Sequence, residues 1–430
     1  MASVLPAAPW TKREDLAALV AALGANENGG NARYVGGAVR DTLLGLEVKD
    51  IDLATPLVPD EVIARLGAAG IRTVPTGIAH GTITALLKEG PVEITTLRHD
   101  VSTDGRRATV AFAEDWRDDA ARRDFTINAL YSDPATGEIS DYFGGLDDLA
   151  ARRLRFIGDA RERIREDHLR ILRYFRFQAR FGSQPADAES EMACAELAAT
   201  LKALSRERIG MEVLNLLALP DPAPTVARMA ELGVLAVVLP EAVAQPLAAL
   251  VAEEQRQQIA PNPIRRLAAL LPADIGQAER VAARFRLSRA QRERLASAAK
   301  RDDKPLPFRG GVGVGSVVAR DVSPSGQTPP PTPSPEEEGA LNPQALAYRL
   351  GMDQAIDRLL LTGTEAGPLV GWSIPVFPLK GGEIVARGVT VGPEVARLLR
   401  AVEDRWVEEN FPDKARVDEL LAAELRVFLT

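Results

Sequence analysis

A glycine pair followed by two carboxylates one residue apart is the part of this chain with the clearest chemical content. The run Tyr34-Val35-Gly36-Gly37-Ala38-Val39-Arg40-Asp41 precedes Leu44-Gly45 and then Asp50-Ile51-Asp52. Gly36 and Gly37 let the backbone approach a bulky anion, and Ala38 to Leu44 reads as a short helix whose amino end can face phosphate. Asp50-Ile51-Asp52-Leu53 fits a strand, in which residues two apart point to one face, so both carboxylates project together. Hard divalent cations such as Mg²⁺ take oxygen ligands, and two-metal phosphoryl transfer needs shared carboxylates to hold ions about 3.5–4 Å apart. The layout therefore points to a nucleoside triphosphate and its metal ions. A solvated turn is the competing structural reading, since Lys49-Asp50 alone would be ordinary.

These residues need a scaffold, and the patterning supplies one. A helix is expected over residues 12–24, capped by Thr11. Strand-like runs at 32–35, 50–54, 72–75, 82–87 and 91–97 alternate with a helix near 59–69. After Arg152 the pattern turns helical. Ile164, Ile171, Leu172, Phe175 and Ala179 recur at helical spacing and should face a core. Asp167 and Arg170, three apart, would share a helix face with Glu166 and Arg173 beside them. The expected class is α+β, a mixed-sheet head followed by an all-α neck, body and tail. The expected boundaries are a head at 1–150, a neck at 151–220, a body at 221–302, an insert at 303–341 and a body and tail at 342–430.

The insert follows from composition: residues 305–335 hold eight of the thirty prolines, with a glycine-alternating run at 310–315. We expect a disordered loop there. No Gly-Lys-Ser/Thr follows the glycine run, which argues against a phosphate cradle.

The chain has 430 residues, enough for several domains, with 46% hydrophobic and 26% charged residues, as in a globular protein. No apolar run is long enough to cross a membrane, and no basic segment with an apolar core opens the chain, so a cytoplasmic location is expected. The single cysteine, Cys194, reads as a core residue, and one cysteine excludes an intramolecular disulfide. A net charge of −8 does not favour binding to nucleic-acid phosphates, yet residues 150–181 carry ten arginines against four acidic residues. A local basic patch coexists with an acidic remainder. Arginines that merely solvate a helix are the alternative.

Gly-Gly-x-Val-Arg-Asp followed by Asp-x-Asp resembles the signature of the nucleotidyltransferase superfamily. Within it the chain resembles the class II tRNA nucleotidyltransferases, or CCA-adding enzymes, and the bacterial poly(A) polymerases. Pro91 to Arg98 resembles the strand that gives that family its third carboxylate, here Glu93. Arg122 to Leu130 resembles its ribose-binding motif, Asp141 to Leu149 its hinge, Glu166-Asp167-His168-Leu169-Arg170 its base-selecting motif, and Ser205-Arg206-Glu207-Arg208 the motif that braces the neck helices.

The resemblance implies addition of CMP, CMP and AMP to the 3′ end of tRNA from CTP and ATP, with release of pyrophosphate. It places Mg²⁺ at Asp50 and Asp52, with Glu93 orienting the attacking hydroxyl if strand register allows. Gly36, Gly37 and Arg40 would cradle the triphosphate, with Arg123 near the phosphates. Asp124 and Asn128 would meet the ribose, and Asp167 with Arg170 would read the base, with Arg173 close by. No DNA partner and no membrane are expected. Poly(A) addition is the nearest alternative. The stretch Thr76-Gly77-Ile78-Ala79-His80, where poly(A) polymerases carry Gly-Arg-Arg-Phe before a histidine, favours CCA addition. An enzyme limited to CC or to A is a second alternative, and Asp104-Gly105-Arg106-Arg107, resembling a loop that CC-only relatives lack, argues against it. A non-catalytic RNA-binding relative would require a lost metal ligand. His99-Asp100 invites comparison with an appended HD phosphohydrolase domain, but no histidine follows His168, so none is expected. Trp406, Lys414 and Arg416 are tail candidates for contact with tRNA, with packing and surface roles as the plainer reading.

Overall fold

The computed structural model describes residues 4–25, 30–103, 108–113, 115–301 and 342–429. The loop at 104–107 and the insert expected at 303–341 lie outside the described residues. The chain divides into two compact units, residues 1–244 with 284–286, and residues 245–283 with 287–430.

In the first unit the strands are β1 (Arg33–Val35), β2 (Asp52–Thr55), β3 (Arg72–Gly77), β4 (Thr82–Leu87), β5 (Gly90–Thr96), β6 (Arg98–Thr103), β7 (Ala108–Phe112), β8 (Leu130–Ser132) and β9 (Ile139–Asp141). The described strands form a mixed sheet in the order β3-β4-β5-β2-β1-β8-β9, beside a β6-β7 ribbon. β2 and β5 pair in parallel and the other neighbours of the large sheet are antiparallel. Alternation along β5 is clean: Val92, Ile94 and Thr96 are buried, while Glu93 is exposed. That pattern sets the core face of the sheet and turns Glu93 to the other face. Val35, Ala54, Leu97, Ala129 and Tyr131 form a common core with Ala113, Ala120 and Ile157.

The helices of this unit are α1 (Glu14–Ala22), α2 (Gly37–Leu43), α3 (Pro59–Ala68), α4 (Trp116–Ala121), α5 (Gly145–Ala150), α6 (Ala160–Glu166), α7 (Arg170–Phe181), α8 (Ala188–Leu197), α9 (Arg206–Leu217), α10 (Ala223–Glu231) and α11 (Val234–Val238). The opening helix is shorter than expected. Thr11 belongs to a 3-10 turn at Pro9–Lys12 and bonds Ala8, while Arg13 stands at the N-cap of α1. Ile164, Ile171, Leu172 and Phe175 are buried and Ala179 is half-buried. α7 also buries Tyr174, Phe177 and Phe181. Phe125 packs its ring against Phe156, Tyr174 and Phe177, which ties the neck to the head. Cys194 in α8 is fully buried.

The second unit is helical among its described residues. One of its cores gathers Leu398, Val402, Trp406, Val417, Leu420 and Leu421. Trp406 is 2% exposed and donates its indole N–H to the Pro412 carbonyl, so it is a packing residue rather than a surface for RNA. Lys414 pairs with Glu383, and Arg416 pairs with Glu409 and Glu419. No described helix is long and apolar enough to cross a membrane.

Candidate active site

Asp52 opens β2 and stands in register with Glu93 on β5. Cross-strand partners project to one face, so these two carboxylates are neighbours. Asp50 precedes the strand and is exposed, so β2 starts two residues later than the pattern indicated. Burial pushes the Asp52 carboxyl up to about 6; Glu93 and, more weakly, Asp50 add repulsion, while Arg123 opposes it. One electrostatic neighbourhood therefore holds all three carboxylates and one arginine, with negative charge in excess.

Among the described residues no three His, Cys, Asp or Glu side chains form a ready-made cation cage. The donor set nevertheless suits Mg²⁺, which usually keeps waters and takes one or two carboxylates together with substrate phosphates. A divalent cation would relieve the repulsion that raises Asp52. Asp50 and Asp52, with Glu93 adjacent, are the oxygen donors that would hold it.

Gly36 adopts φ +67°, a conformation that disfavours any side chain, and a Cβ there would lie 3.5 Å from Arg123 Nη1. The glycine thus leaves the Arg123 guanidinium uncovered. Arg123 is held from behind: its Nε donates to the Tyr131 hydroxyl at 3.0 Å and its Nη2 to Asp119 Oδ2 at 3.2 Å. Tyr131 also donates to Asp119, which is buried. Asp119 and Tyr131 carry no motif of their own, and only the fold reveals that they aim Arg123.

Arg40 is buried rather than free. It donates Nε to Asp41 at 2.7 Å and Nη1 to Asn128 Oδ1, and its guanidinium lies over Phe181, 4.2 Å from the ring centre. Asn128, in a 3-10 turn at Thr126–Asn128, donates its amide to Asp124 Oδ1 at 2.9 Å. Arg173 of α7 donates Nε to Asp124 Oδ2, also at 2.9 Å. Burial alone would raise the Asp124 carboxyl, but Arg173 and Asn128 overcome it and hold the group down at about 2. A chain of polar contacts, Arg40-Asn128-Asp124-Arg173, thus joins the glycine loop to the neck.

Asp167 and Arg170 do not share a helix. Asp167 is an extended residue at the break between α6 and α7, and Arg170 is the first residue of α7. Asp167 Oδ1 accepts from the Leu169 amide at 3.0 Å, and Oδ2 accepts from Arg208 Nη2 of α9 at 2.8 Å. Arg170 donates Nη1 to Glu166 at 2.6 Å and Nη2 to the Arg122 carbonyl at 3.1 Å. The two side chains are fixed separately, and among the described residues no hydrogen bond joins them. A carboxylate offers about four acceptor sites and Asp167 uses two, while a guanidinium has five donors. Both keep capacity for a polar ligand.

Comparison with known proteins bears on this geometry. Residues 32–155 match the family model described as the Poly A polymerase head domain, and residues 187–245 match that described as the probable RNA and SrmB-binding site of polymerase A. The mitochondrial CCA tRNA nucleotidyltransferase 1 of Danio rerio is 35% identical over 400 residues, covering 91% of this chain and 86% of the relative. The crystal structure of the Bacillus stearothermophilus CCA-adding enzyme in complex with CTP shares the fold with TM-score 0.68 at 24% identity, over 96% of this chain and 98% of that one. The Thermotoga maritima CCA-adding enzyme complexed with tRNA shares it with TM-score 0.66 at 20% identity, over 95% of each chain. With a relative at this identity matched over most of both chains and the motifs assembled in one head-and-neck unit, the chain belongs to the CCA tRNA nucleotidyltransferase family.

Proposed function

We infer that this enzyme adds C, C and A in turn to the 3′ end of tRNA, using CTP and ATP and releasing pyrophosphate. The observation that carries the mechanism is the in-register pair Asp52 and Glu93, with Asp50 adding to the repulsion at Asp52. In polymerase-type nucleotidyl transfer, bound divalent cations, here assigned as Mg²⁺, activate the attacking hydroxyl and neutralise the departing pyrophosphate. Asp50 and Asp52 supply their oxygen ligands. Glu93, on the same face as Asp52, orients the RNA 3′-hydroxyl and accepts its hydrogen bond.

Gly36 and Gly37 give the triphosphate room against the backbone, and Arg123, fixed by Asp119 and Tyr131, meets its charge. Preorganised cations of this kind stabilise charge that develops at a transferring phosphoryl group. Asp124, held ionised, already accepts four hydrogen bonds, from the Phe125 amide, Asn128 and twice from Arg173, so it takes a ribose hydroxyl in exchange for one of them, and Arg40 fixes the Asn128 amide so that its N–H₂ side faces Asp124. A site built to bond a 2′-hydroxyl disfavours the deoxynucleotide, because a buried partner left unpaired costs about 1–3 kcal/mol.

Asp167 and Arg170 read the base. A carboxylate accepts from the exocyclic amine that cytosine and adenine both carry, and a guanidinium donates to their ring acceptors. Uracil and guanine present the opposite polarity at the corresponding edge. The separate anchors at Arg208 and Glu166 hold the two readers at fixed positions. The assay is single-nucleotide incorporation onto tRNA that lacks its terminus, with each NTP supplied alone. CTP alone should extend by two residues, and ATP alone should extend only tRNA already ending in CC. Processive addition of A to any RNA end would support poly(A) synthesis instead.

A further inference from the structure

Register partners form one row across the large sheet: Tyr131, Val35, Asp52, Glu93, Thr84 and Val74. At the Tyr131 end of that row stand the groups suited to the triphosphate, because Gly36 follows β1 and Arg123 is tied to the Tyr131 hydroxyl. The carboxylates of β2 and β5 come next, and beyond them lie β4 and the edge strand β3. In phosphoryl transfer the attacking and leaving oxygens stand roughly in line through the phosphorus. Pyrophosphate that departs toward β1 and β8 therefore requires the RNA end to arrive over β5, from the side of β4.

Thr84 is the position after Glu93 in the row, one strand spacing of about 4.8 Å away. Its chain neighbours Ile83 and Ala85 are buried with the core face of the sheet, so Thr84 shares the face of Glu93. The Thr84 and Thr76 hydroxyl oxygens are hydrogen-bonded at 2.8 Å, and among the described residues this is the only hydrogen bond of either hydroxyl. Thr84 is 8% exposed, whereas Thr76 of β3 is exposed. Valine would fill the Thr84 position without a polar group to desolvate, so the hydroxyl costs burial that no backbone partner offsets. Two hydroxyls carry two protons and their mutual bond uses one, so the pair keeps one donor together with spare lone pairs. One row further, Thr82 and Thr95 are also register partners, with hydroxyl oxygens 3.4 Å apart. The face on this side of Glu93 is thus lined with uncharged hydroxyls, which suit a sugar rather than a phosphate.

We propose that the Thr76 and Thr84 pair receives the 2′-hydroxyl of the last nucleotide of the RNA acceptor, with Thr76 in contact and Thr84 as its positioning residue. The inference rests on the nucleotidyltransferase reading above and adds a selection for acceptors that end in ribose. It concerns the RNA end and not the incoming nucleotide, whose ribose lies with Asp124 and Asn128. The 2′- and 3′-hydroxyls sit on adjacent carbons, so the groups that hold them must be neighbours. Glu93, which orients the 3′-hydroxyl, has Thr84 beside it on the same face.

The test compares two tRNA acceptors ending in CC, one with ribose and one with 2′-deoxyribose at the last residue, by kcat/KM for the acceptor at saturating ATP. The wild type should use the ribose end about tenfold better, the size expected when a hydrogen-bond partner is left unpaired. Thr76→Val and Thr84→Val should each cut that preference about fivefold by losing rate on the ribose end alone, with KM for ATP within about twofold. Thr76→Ser keeps a hydroxyl and should retain the preference. Intrinsic differences between the two acceptors are common to all these proteins, and a ratio does not depend on the fraction of enzyme that is folded. Equal use of both acceptors by the wild type overturns the proposal, as does a preference that survives in either valine variant or a loss confined to ATP affinity. Failure of the wild type to extend either acceptor would instead overturn the parent reading, so the two failures are distinguishable.

Discussion

Replacing Asp52 with asparagine should stabilise the metal-free protein while abolishing its activity. In the fold the Asp52 carboxyl is raised from an ordinary 3.8 to about 6, by burial first and then by Glu93 and Asp50. A carboxylate with a raised folded pKa binds its proton more tightly folded than unfolded, so stability falls as pH rises between the two values. Below about pH 4 the group is protonated in both states and costs nothing; above about pH 6 the cost is fully present. Each pKa unit corresponds to about 1.4 kcal/mol, so the rise sets a ceiling of about 3 kcal/mol at neutral pH. Asp52 is only partly buried by solvent exposure, which brings the expected cost to about 1–2 kcal/mol. Asparagine has no charge to desolvate. In EDTA at pH 7.5 the Asp52→Asn protein should therefore melt about 2–6 °C above wild type, for a unit of this size. The difference should shrink to zero as the buffer is taken down to pH 4. Adding Mg²⁺ should raise the wild-type melting temperature and leave the variant nearly unmoved. Scanning calorimetry across that pH range, with and without the metal, reads every part of this. An Asp52→Asn protein that is less stable than wild type in EDTA at neutral pH, or a difference that ignores pH, would refute the electrostatic reasoning.

Asp50→Ala and Asp52→Ala should each reduce nucleotide incorporation to background while tRNA binding by gel shift stays near wild type, and Glu93→Gln should be severely impaired; near-normal turnover in Glu93→Gln would place the third carboxylate elsewhere. Asp124→Asn should narrow the preference for CTP over dCTP and destabilise the fold by about 1–3 kcal/mol, because Arg173 loses the carboxylate that it pairs with. The contribution of Asp124 to stability should be intact above about pH 4 and vanish as pH falls toward 2, since its folded pKa lies near 2. Arg170→Ala should weaken discrimination of CTP and ATP against GTP and UTP by about 1–3 kcal/mol, the worth of one good bidentate contact. Asp167→Ala should act similarly and the double variant should be less than additive, which a four-nucleotide incorporation assay would settle.

Much of the head was legible because its chemistry sits in contiguous motifs. The Gly36-Gly37 pair, the Asp50-Ile51-Asp52 spacing and the alternation of Val92, Glu93 and Ile94 are local patterns, and a strand period of two turns them into a face. The register of β2 with β5 was not readable, since forty residues of helix and strand separate Asp52 from Glu93. The short strands β8 and β9 escaped because three residues give too little periodicity to count. Asp167 was placed on a helix because the spacing to Arg170 fits one; in the fold it is extended, its carboxylate accepting locally from the Leu169 amide and from Arg208, forty-one residues away. In the sequence the arginines of residues 150–181 read as a local basic patch, with a solvated helix as the alternative. In the fold Phe177 and Phe181 lie beneath Arg40, Arg173, Arg176 and Arg180, so the same arginines cover an aromatic surface. Their carboxylate partners come from α2, the segment after α4 that holds Asp124, and α9, a convergence that only the tertiary structure creates.

The most direct test of the central claim supplies all four NTPs at equal concentration, with Mg²⁺, to the purified protein and a tRNA ending just before its CC, and sequences the 3′ ends of the products. The account predicts that ends of CCA dominate, that growth stops there, and that the reaction is absent in the Asp50→Ala protein. Products that end in runs of A, that stop at CC, or that form equally well with Asp50→Ala would contradict it.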